Sequence, residues 1–386
     1  MGIYLDNAAT SYPKPEAVYR AVDRFMREIG ASSGRGAYRQ ALLADKVVFS
    51  AREALGKLFG IRDASRIVFT SNATESLNLA VKGLLKAGDH VVASSMEHNA
   101  VWRPLKRLEA ERGIEITVAP CAKDGSLRPE DVIKAIRPNT RLVVMTHASN
   151  VTGTLLPVGE VGAAARDRGV LFLVDAAQTA GTCPIDAGTL GIDLLAFTGH
   201  KGLFGPTGTG GLYIREGVDL LPFKEGGTGG ESILEHQPDH LPDRFEAGTL
   251  NISGIAGLLA GVDFILTEGI DRIRGKEKEL TGHFLRALEI IPGIEVYGPK
   301  DPEKQVGVVS LNISGVMAQD VAYVLDEVYG VMVRSGLHCA PMAHRTIGTI
   351  DRGTVRFGIG YFNTIEEIDT MVQALAEIAG KTLTWK

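Results

Sequence analysis

From about residue 66 the chain alternates short runs rich in β-branched residues with stretches of helical period. RIVFT is followed by ATESLNLAVKGLLKAG, and HVVASS by a helix through Leu105 and Leu108. EITVAP and RLVVMTHAS are followed by helical segments at about 128–136 and 158–168. Strands alternating with helices predict βαβ units, hence a mostly parallel, doubly wound sheet. Val170 to Val174 is apolar at every position, so that strand is expected to lie between two helix layers with neither face in water. LLAFTG and GGLYIR come after VLFLVDA with little room for crossover helices, and antiparallel strands near Tyr213 are expected to close one edge.

Beyond a glycine-rich stretch at 226–230 and the polar segment HQPDHLPDRFEAG, helices at about 254–290 lead to a second α/β pattern. VVSLNIS, VAYVLDEVYG, VMVRSG, TVRFGIGYF and a final helix at 365–379 compose it. At 386 residues the chain exceeds the roughly 250–300 at which a single core stops growing. Two domains are therefore predicted: a large one over 15–260, and a smaller C-terminal α/β domain over 261–386 joined by residues 1–14. The crossing between them is expected inside a helix near 255–285. No internal repeat or low-complexity segment interrupts this organisation.

A composition 45% hydrophobic and 23% charged belongs to ordinary globular proteins. The net charge of -5 is built from interspersed acids and bases, without the basic stripe that nucleic acid demands. Cys121, Cys183 and Cys339 are widely spaced and include no CxxC pair, which argues against a disulfide framework or a thiolate metal site. MGIYLDNAAT has no apolar export core, and Asp6 stands where a myristoylation signal needs Ser or Thr. No apolar run approaches the ~20 residues of a membrane helix. A soluble protein of the reducing cytoplasm is the expectation.

In an open α/β sheet, ligands sit beyond the carboxyl ends of the strands, so polar residues that follow apolar strands are the candidates for chemistry. Asp175 ends VLFLVD; a carboxylate there needs a cation or donors, which a protonated pyridine nitrogen would satisfy, although a helix cap is the plain alternative. Lys201 lies in FTGHKGLFGPTGTGG, where glycines let backbone approach a bulky ligand closely. A Schiff-base lysine must lose its proton, and confinement favours this by lowering its pKa. Thr198 and His200 flank it as phosphate donors. The glycines match neither GxxxxGK[ST] nor GxGxxG, which weakens nucleotide chemistry. In SNATES, Ala73 and Thr74 open a helix directly after a strand, offering free N–H groups and a favourable dipole to an anion.

YLDNAAT, SNATES, MEHNA, SNVTG, VDAAQ, TGHKGLFGPTGTGG, FEAGT and RSGLHCAP together resemble the class V aminotransferase family, specifically its cysteine desulfurases. The resemblance implies a pyridoxal 5'-phosphate (PLP) enzyme of fold type I with a seven-stranded large sheet, acting in sulfur metabolism and iron-sulfur cluster assembly. It further implies a homodimer with active sites at the subunit interface, making alanine and a protein persulfide from L-cysteine. Matched position by position, it assigns Lys201 to the covalent link with PLP, Asp175 to the pyridine nitrogen and Gln178 to the phenolic oxygen. His98 stacks over the ring, where a helix-start histidine is the plain alternative. By the same resemblance, Ala73, Thr74, Thr198 and His200 are expected to hold the phosphate, and Thr249 to reach the phosphate of the neighbouring subunit. Arg356, assisted by Asn150, receives the substrate carboxylate, for which a planar fork is better suited than a lysine; without the family it reads as a salt bridge on an edge strand.

Cys339 distinguishes the reaction within a family that also contains transaminases and lyases. Its segment RSGLHCAPMAHRTIG reads as a loop with His338, His344 and basic residues nearby, surroundings that favour a nucleophilic thiolate. The short interval to the strand at Thr354 is similar to the SufS-like group rather than the long-loop IscS/NifS-like group. Gly34 and Tyr38 stand where SufS-like relatives often carry histidines, and APMAHRTIGT departs from their usual sequence. A selenocysteine lyase, a C–S lyase, an aminotransferase and a non-catalytic sulfur-transfer scaffold stay open as alternatives at this point. So does the identity of the sulfur acceptor, whether a thiol or a protein.

Overall fold

The computed structural model describes residues 2–34 and 36–384. The chain begins with β1 (Ile3–Tyr4), α1 (Glu16–Arg24), which runs on as a π-helical turn to Ile29, and α2 (Arg39–Leu58). The alternating half contains β2 (Ile67–Thr70), α3 (Ala73–Leu84), β3 (His90–Ser94), α4 (Asn99–Arg112), β4 (Glu115–Ala119), α5 (Pro129–Ala135), β5 (Thr140–Thr146), α6 (Val158–Asp167), β6 (Leu171–Asp175), β7 (Leu194–Thr198) and β8 (Gly210–Ile214). Then come α7 (Ile252–Glu268), α8 (Ile270–Glu289), β9 (Ile294–Tyr297), β10 (Val308–Ile313), α9 (Ala318–Tyr329), β11 (Val331–Met332), β12 (Arg334–Gly336), α10 (Pro341–Ile347), β13 (Thr354–Gly358) and α11 (Ile365–Thr384).

Seven strands form the large sheet in the order β2-β8-β7-β6-β5-β3-β4. Both of its faces are dry, as the apolar runs require. On β6, Phe172 and Val174 enter the core with α2, α6 and α7, while Leu173 enters the core with α3 and α4. Only β8 runs antiparallel, pairing with β7 and β2. Tyr213 therefore lies one strand in from the edge, and β2 closes the sheet instead. Eleven residues without a helix separate β7 from β8, too few to cross over and return parallel.

The second sheet, β12-β13-β10-β9, is antiparallel and packs with α8, α9 and α11 around its own apolar core. Helices α7 and α8 meet at Gly269 with a bend of 84°; α7 packs on α1 and α2, and α8 on α11. Residues 16–24 and 39–58, to which the hydrophobic pattern assigns no element, form α1 and α2; both pack on α7, and α2 enters the core on one face of the large sheet. No single helix among the described residues is long and apolar enough to cross a membrane. Cys121, Cys183 and Cys339 are all free thiols.

A buried ion pair fastens α2 to the segment preceding α7. Arg52 donates from Nη1 to Glu246 Oε1 at 2.8 Å and to the Ile67 carbonyl, and Glu246 also accepts the Phe69 N–H. Removing one partner strands the other charge in the interior. Arg52→Leu is expected to lower stability by about 3–5 kcal/mol, measured by urea unfolding; a loss under about 1 kcal/mol would put the pair in the class of solvated surface bridges.

Candidate active site

The strand order reverses between β3 and β5, since β3–β4 grows one way and β5–β6–β7 the other. Crevices form at such switch points. A cleft of about 480 Å³ opens there, lined by Asn72, Ala73, Thr74, His98, Asn150, Asp175, Gln178, Thr198, His200 and Lys201. Every one follows or ends a strand of the large sheet. At the start of α3, Asn72 Oδ1 accepts the Glu75 N–H at 3.0 Å and Glu75 Oε2 accepts the Ser71 N–H at 2.6 Å. This reciprocal cap leaves the first-turn N–H groups of Ala73 and Thr74 without intrahelical acceptors, aimed at an incoming anion. Buried Nδ1 of His200 likewise has no partner.

Protein surrounds the Lys201 amine even though the side chain keeps some surface open to the cleft. Burial and then the Arg356 guanidinium push its pKa down to about 8, against the attraction of Asp175. Asp175 is buried and pushed upward by desolvation, opposed by the Ala177 N–H at 2.9 Å and by Lys201. His98 is both helix cap and cleft wall: its Nδ1 accepts the Ala100 N–H at 3.0 Å. Burial, then the charges of Lys201 and Arg334, lower its pKa to about 4, so near neutrality the ring is uncharged, with its proton on Nε2. Gln178 Nε2 donates to the Ala8 carbonyl at 3.1 Å. The glycines around Lys201 approach protein rather than ligand. A Cβ at Gly210 would meet Asn72 Cα at 2.7 Å, and one at Gly202 the Ala180 carbonyl at 2.6 Å, so they draw β8 against the start of α3 and seat the lysine turn.

Arg356 is 1% exposed and stands on β13, an inner strand rather than an edge. Its Nη2 donates to Asp6 at 2.8 Å and its Nη1 to the Asn150 carbonyl at 3.1 Å, while buried Nε has no partner. Asn150 meets the arginine through its backbone; its side-chain amide donates to the His338 carbonyl at 2.7 Å. Cys339 is exposed, and its carbonyl accepts the Asn99 N–H at 2.8 Å. The cysteine's backbone is thus bonded to segments that wall the cleft. The stretch read as a loop contains α10, which begins two residues after Cys339. His338 and His344 are buried, with rings 5.6 Å apart, and desolvation drives both well below the usual imidazole value. They are uncharged near neutrality, so the positive charge around the thiol comes from arginines instead.

Residues 3–371 match the family described as aminotransferase class-V. The chain belongs to that family. A probable cysteine desulfurase of Methanothermobacter thermautotrophicus is 41% identical over 98% of this chain and 95% of its own length. Among solved structures, the apo cysteine desulfurase of Thermococcus onnurineus NA1 superimposes with a TM-score of 0.93 at 37% identity, covering 98% of this chain and 95% of that one. The Escherichia coli cysteine desulfurase CsdA, in its S-sulfonic acid form, gives 0.89 at 28% identity, covering 99% and 95%. The mixed α/β architecture with a large, mostly parallel seven-stranded sheet is the fold these class-V proteins share.

Of the candidate residues in this class-V chain, Arg356, Cys339 and Thr249 do not line this cleft; Thr249 lines one cavity with Gly34, Phe49 and Arg52 and another with Ser71 and Glu75 at the start of α3. Asp6, Glu97 and Arg334, which YLDNAAT, MEHNA and RSGLHCAP contain, join the site only through contacts of the folded chain. Glu97 is wholly buried; its Oε1 accepts the Thr146 N–H at 3.0 Å and the Ser94 hydroxyl, and its Oε2 has no partner. Desolvation, with a smaller push from Asp175, raises its pKa from 4.5 to about 8. A carboxyl raised by folding contributes most below its unfolded value, and that contribution is lost as pH climbs through the folded value. Glu97→Gln should therefore gain in melting temperature relative to the parent by ~2 °C or more between pH 4.5 and pH 8. A pH-independent difference in a thermal melt series would contradict this.

Proposed function

We propose that this chain is a PLP-dependent cysteine desulfurase that converts L-cysteine to L-alanine and receives the sulfur on Cys339 as a persulfide. The observation that carries the reading is the bonding of the Cys339 segment, through Asn99 and Asn150, to the cleft that also holds Lys201 and Asp175. The donor set fits PLP. The N–H groups of Ala73 and Thr74, the Thr198 hydroxyl and the orphaned His200 Nδ1 suit its phosphate. Asp175 suits a protonated pyridine nitrogen, the Gln178 amide a phenolate oxygen, and the uncharged face of His98 a flat ring. Bound there, PLP supplies an electron sink for bonds broken at the substrate's carbons.

The chain's own groups do the rest. Lys201 Nζ, with its basicity lowered by burial, anchors the coenzyme and then takes the proton from the substrate Cα. Arg356, held by Asp6 and the Asn150 carbonyl, supplies the positive charge that draws the substrate carboxylate. Cys339 Sγ attacks the substrate sulfur; the S–S bond forms as the carbon–sulfur bond breaks, with its electrons returning to the carbon skeleton that leaves as alanine. A thiol or an acceptor protein then removes the outer sulfur.

Free, widely separated cysteines suit the cytoplasm. Thr249 shares its cavity with Phe49 of α2, which is 59% exposed, and Leu42 on the same helix is 60% exposed; we infer that a second copy covers these two side chains and that Thr249 reaches the phosphate site of that copy. We divide the chain as a large domain over 15–260 and a small one over 261–386 with residues 1–14.

Protein loaded with PLP and given L-cysteine with dithiothreitol should release alanine and sulfide in equal amounts, without passing the amino group to added pyruvate. Lys201→Ala should abolish both products and the coenzyme's absorbance band, and Cys339→Ala should lower alanine release by roughly 100-fold or more. Full cysteine turnover by Cys339→Ala would sink the reading.

A further inference from the structure

On the small sheet, Arg334 of β12 lies directly opposite Arg356 of β13. Like charges in register destabilise a strand pair, so each guanidinium calls for a compensating group. Arg356 has Asp6 and the Asn150 carbonyl. Arg334 forms no ion pair with any carboxylate among the described residues; the group it donates to is Cys339 Sγ, 3.8 Å from Nη2.

The backbone is bent to bring the sulfur there. His338 and Cys339 both adopt the left-handed conformation, at φ 48° and 57°, which two successive non-glycine residues seldom do and which costs of order 1–3 kcal/mol at each. Hydrogen bonds from the Asn150 amide to the His338 carbonyl and from the Asn99 N–H to the Cys339 carbonyl hold the turn. No carboxylate hydrogen-bonds to Cys339 among the described residues, and His98 and His338 stay neutral beside it. Two guanidinium groups therefore supply the field at the sulfur, and only Arg334 touches it.

We propose that Arg334 is a further catalytic residue, holding the Cys339 sulfur as an anion before and after sulfur transfer. The inference rests on the reading of Cys339 as the sulfur-bearing nucleophile. Before transfer the thiolate carries the charge. When the S–S bond forms from the thiolate's electron pair, the pair of the broken carbon–sulfur bond stays with the carbon, which takes up a proton as alanine forms. Loss of the substrate sulfur's own proton then leaves the terminal sulfur of the persulfide as the anion. An acceptor thiolate then attacks that terminal sulfur, and the electron pair of the broken bond restores the thiolate on Cys339. A planar fork with several N–H donors can follow the charge from one sulfur to the next without moving its stem.

The test uses the protein without added coenzyme and reads Cys339 modification by peptide mass at pH 7, with Cys121 and Cys183 as internal references. In wild type, anionic iodoacetate is expected to react at a rate close to that of neutral iodoacetamide. In Arg334→Gln both rates should fall, by ~5-fold for iodoacetamide and further for iodoacetate, since about 1 kcal/mol of charge stabilisation is a factor of roughly 5. Arg334→Lys should recover part of both. Because removing one of two facing positive charges relieves the strand pair, Arg334→Gln should melt no lower than wild type. Unchanged modification rates in a folded Arg334→Gln would overturn the proposal. A raised KM for L-cysteine with those rates intact would also overturn it and assign Arg334 to the substrate carboxylate. Neither result depends on whether Cys339 is needed for turnover, which the Cys339→Ala assay decides separately.

Discussion

Bringing Lys201 and Asp175 together in one water-poor cleft is the constraint on which the rest of this structure depends. Neither charge could be enclosed alone without a large desolvation cost. Their mutual attraction and the Ala177 N–H offset part of it, and what is left unbalanced appears as a lysine pushed down to about 8 and an aspartate pushed up. That imbalance is useful in itself. A lysine ready to give up its proton is a nucleophile for an aldehyde, and a carboxylate short of donors is a seat for a protonated ring nitrogen.

The N-terminal segment is bonded to both sheets' surroundings. β1 pairs with β11 of the C-terminal half, Asp6 holds Arg356, and Thr10 and Ser11 donate to the His200 carbonyl beside the lysine. This N-terminal segment thus ties Arg356 on the small sheet to the turn that carries Lys201 beside the large one.

The thiol is held differently. Cys339 is exposed and its local backbone is strained, yet carbonyls on both sides of its Cα are tied to cleft-lining segments. Strain that persists only because neighbouring bonds over-determine it is characteristic of groups that must be presented in one orientation. The buried imidazoles of His338 and His344, bonded to Thr354 and Thr349, pack beneath the turn as uncharged supports.

Much of the fold was legible because its signal is local. Apolar runs without alternation identified the strands of a sheet covered on both faces, and polar residues ending those runs, such as Asp175 and Lys201, marked the cleft. Helices α1 and α2 carry no such signal, since they answer to α7 and a core built from distant sequence, and the place of Tyr213 one strand in from the edge is not written into its own strand. The sequence by itself determined which residue types stand at the strand ends and, through its ordered motifs, the family. Only the tertiary structure decided that Asp6 secures Arg356, that Asn150 works through its carbonyl and its amide in opposite directions, and that Arg334 rather than a histidine faces the sulfur. Those are contacts between residues up to 350 positions apart, and the desolvation that keeps His98, His338 and His344 uncharged exists only once the surrounding chain has closed over them.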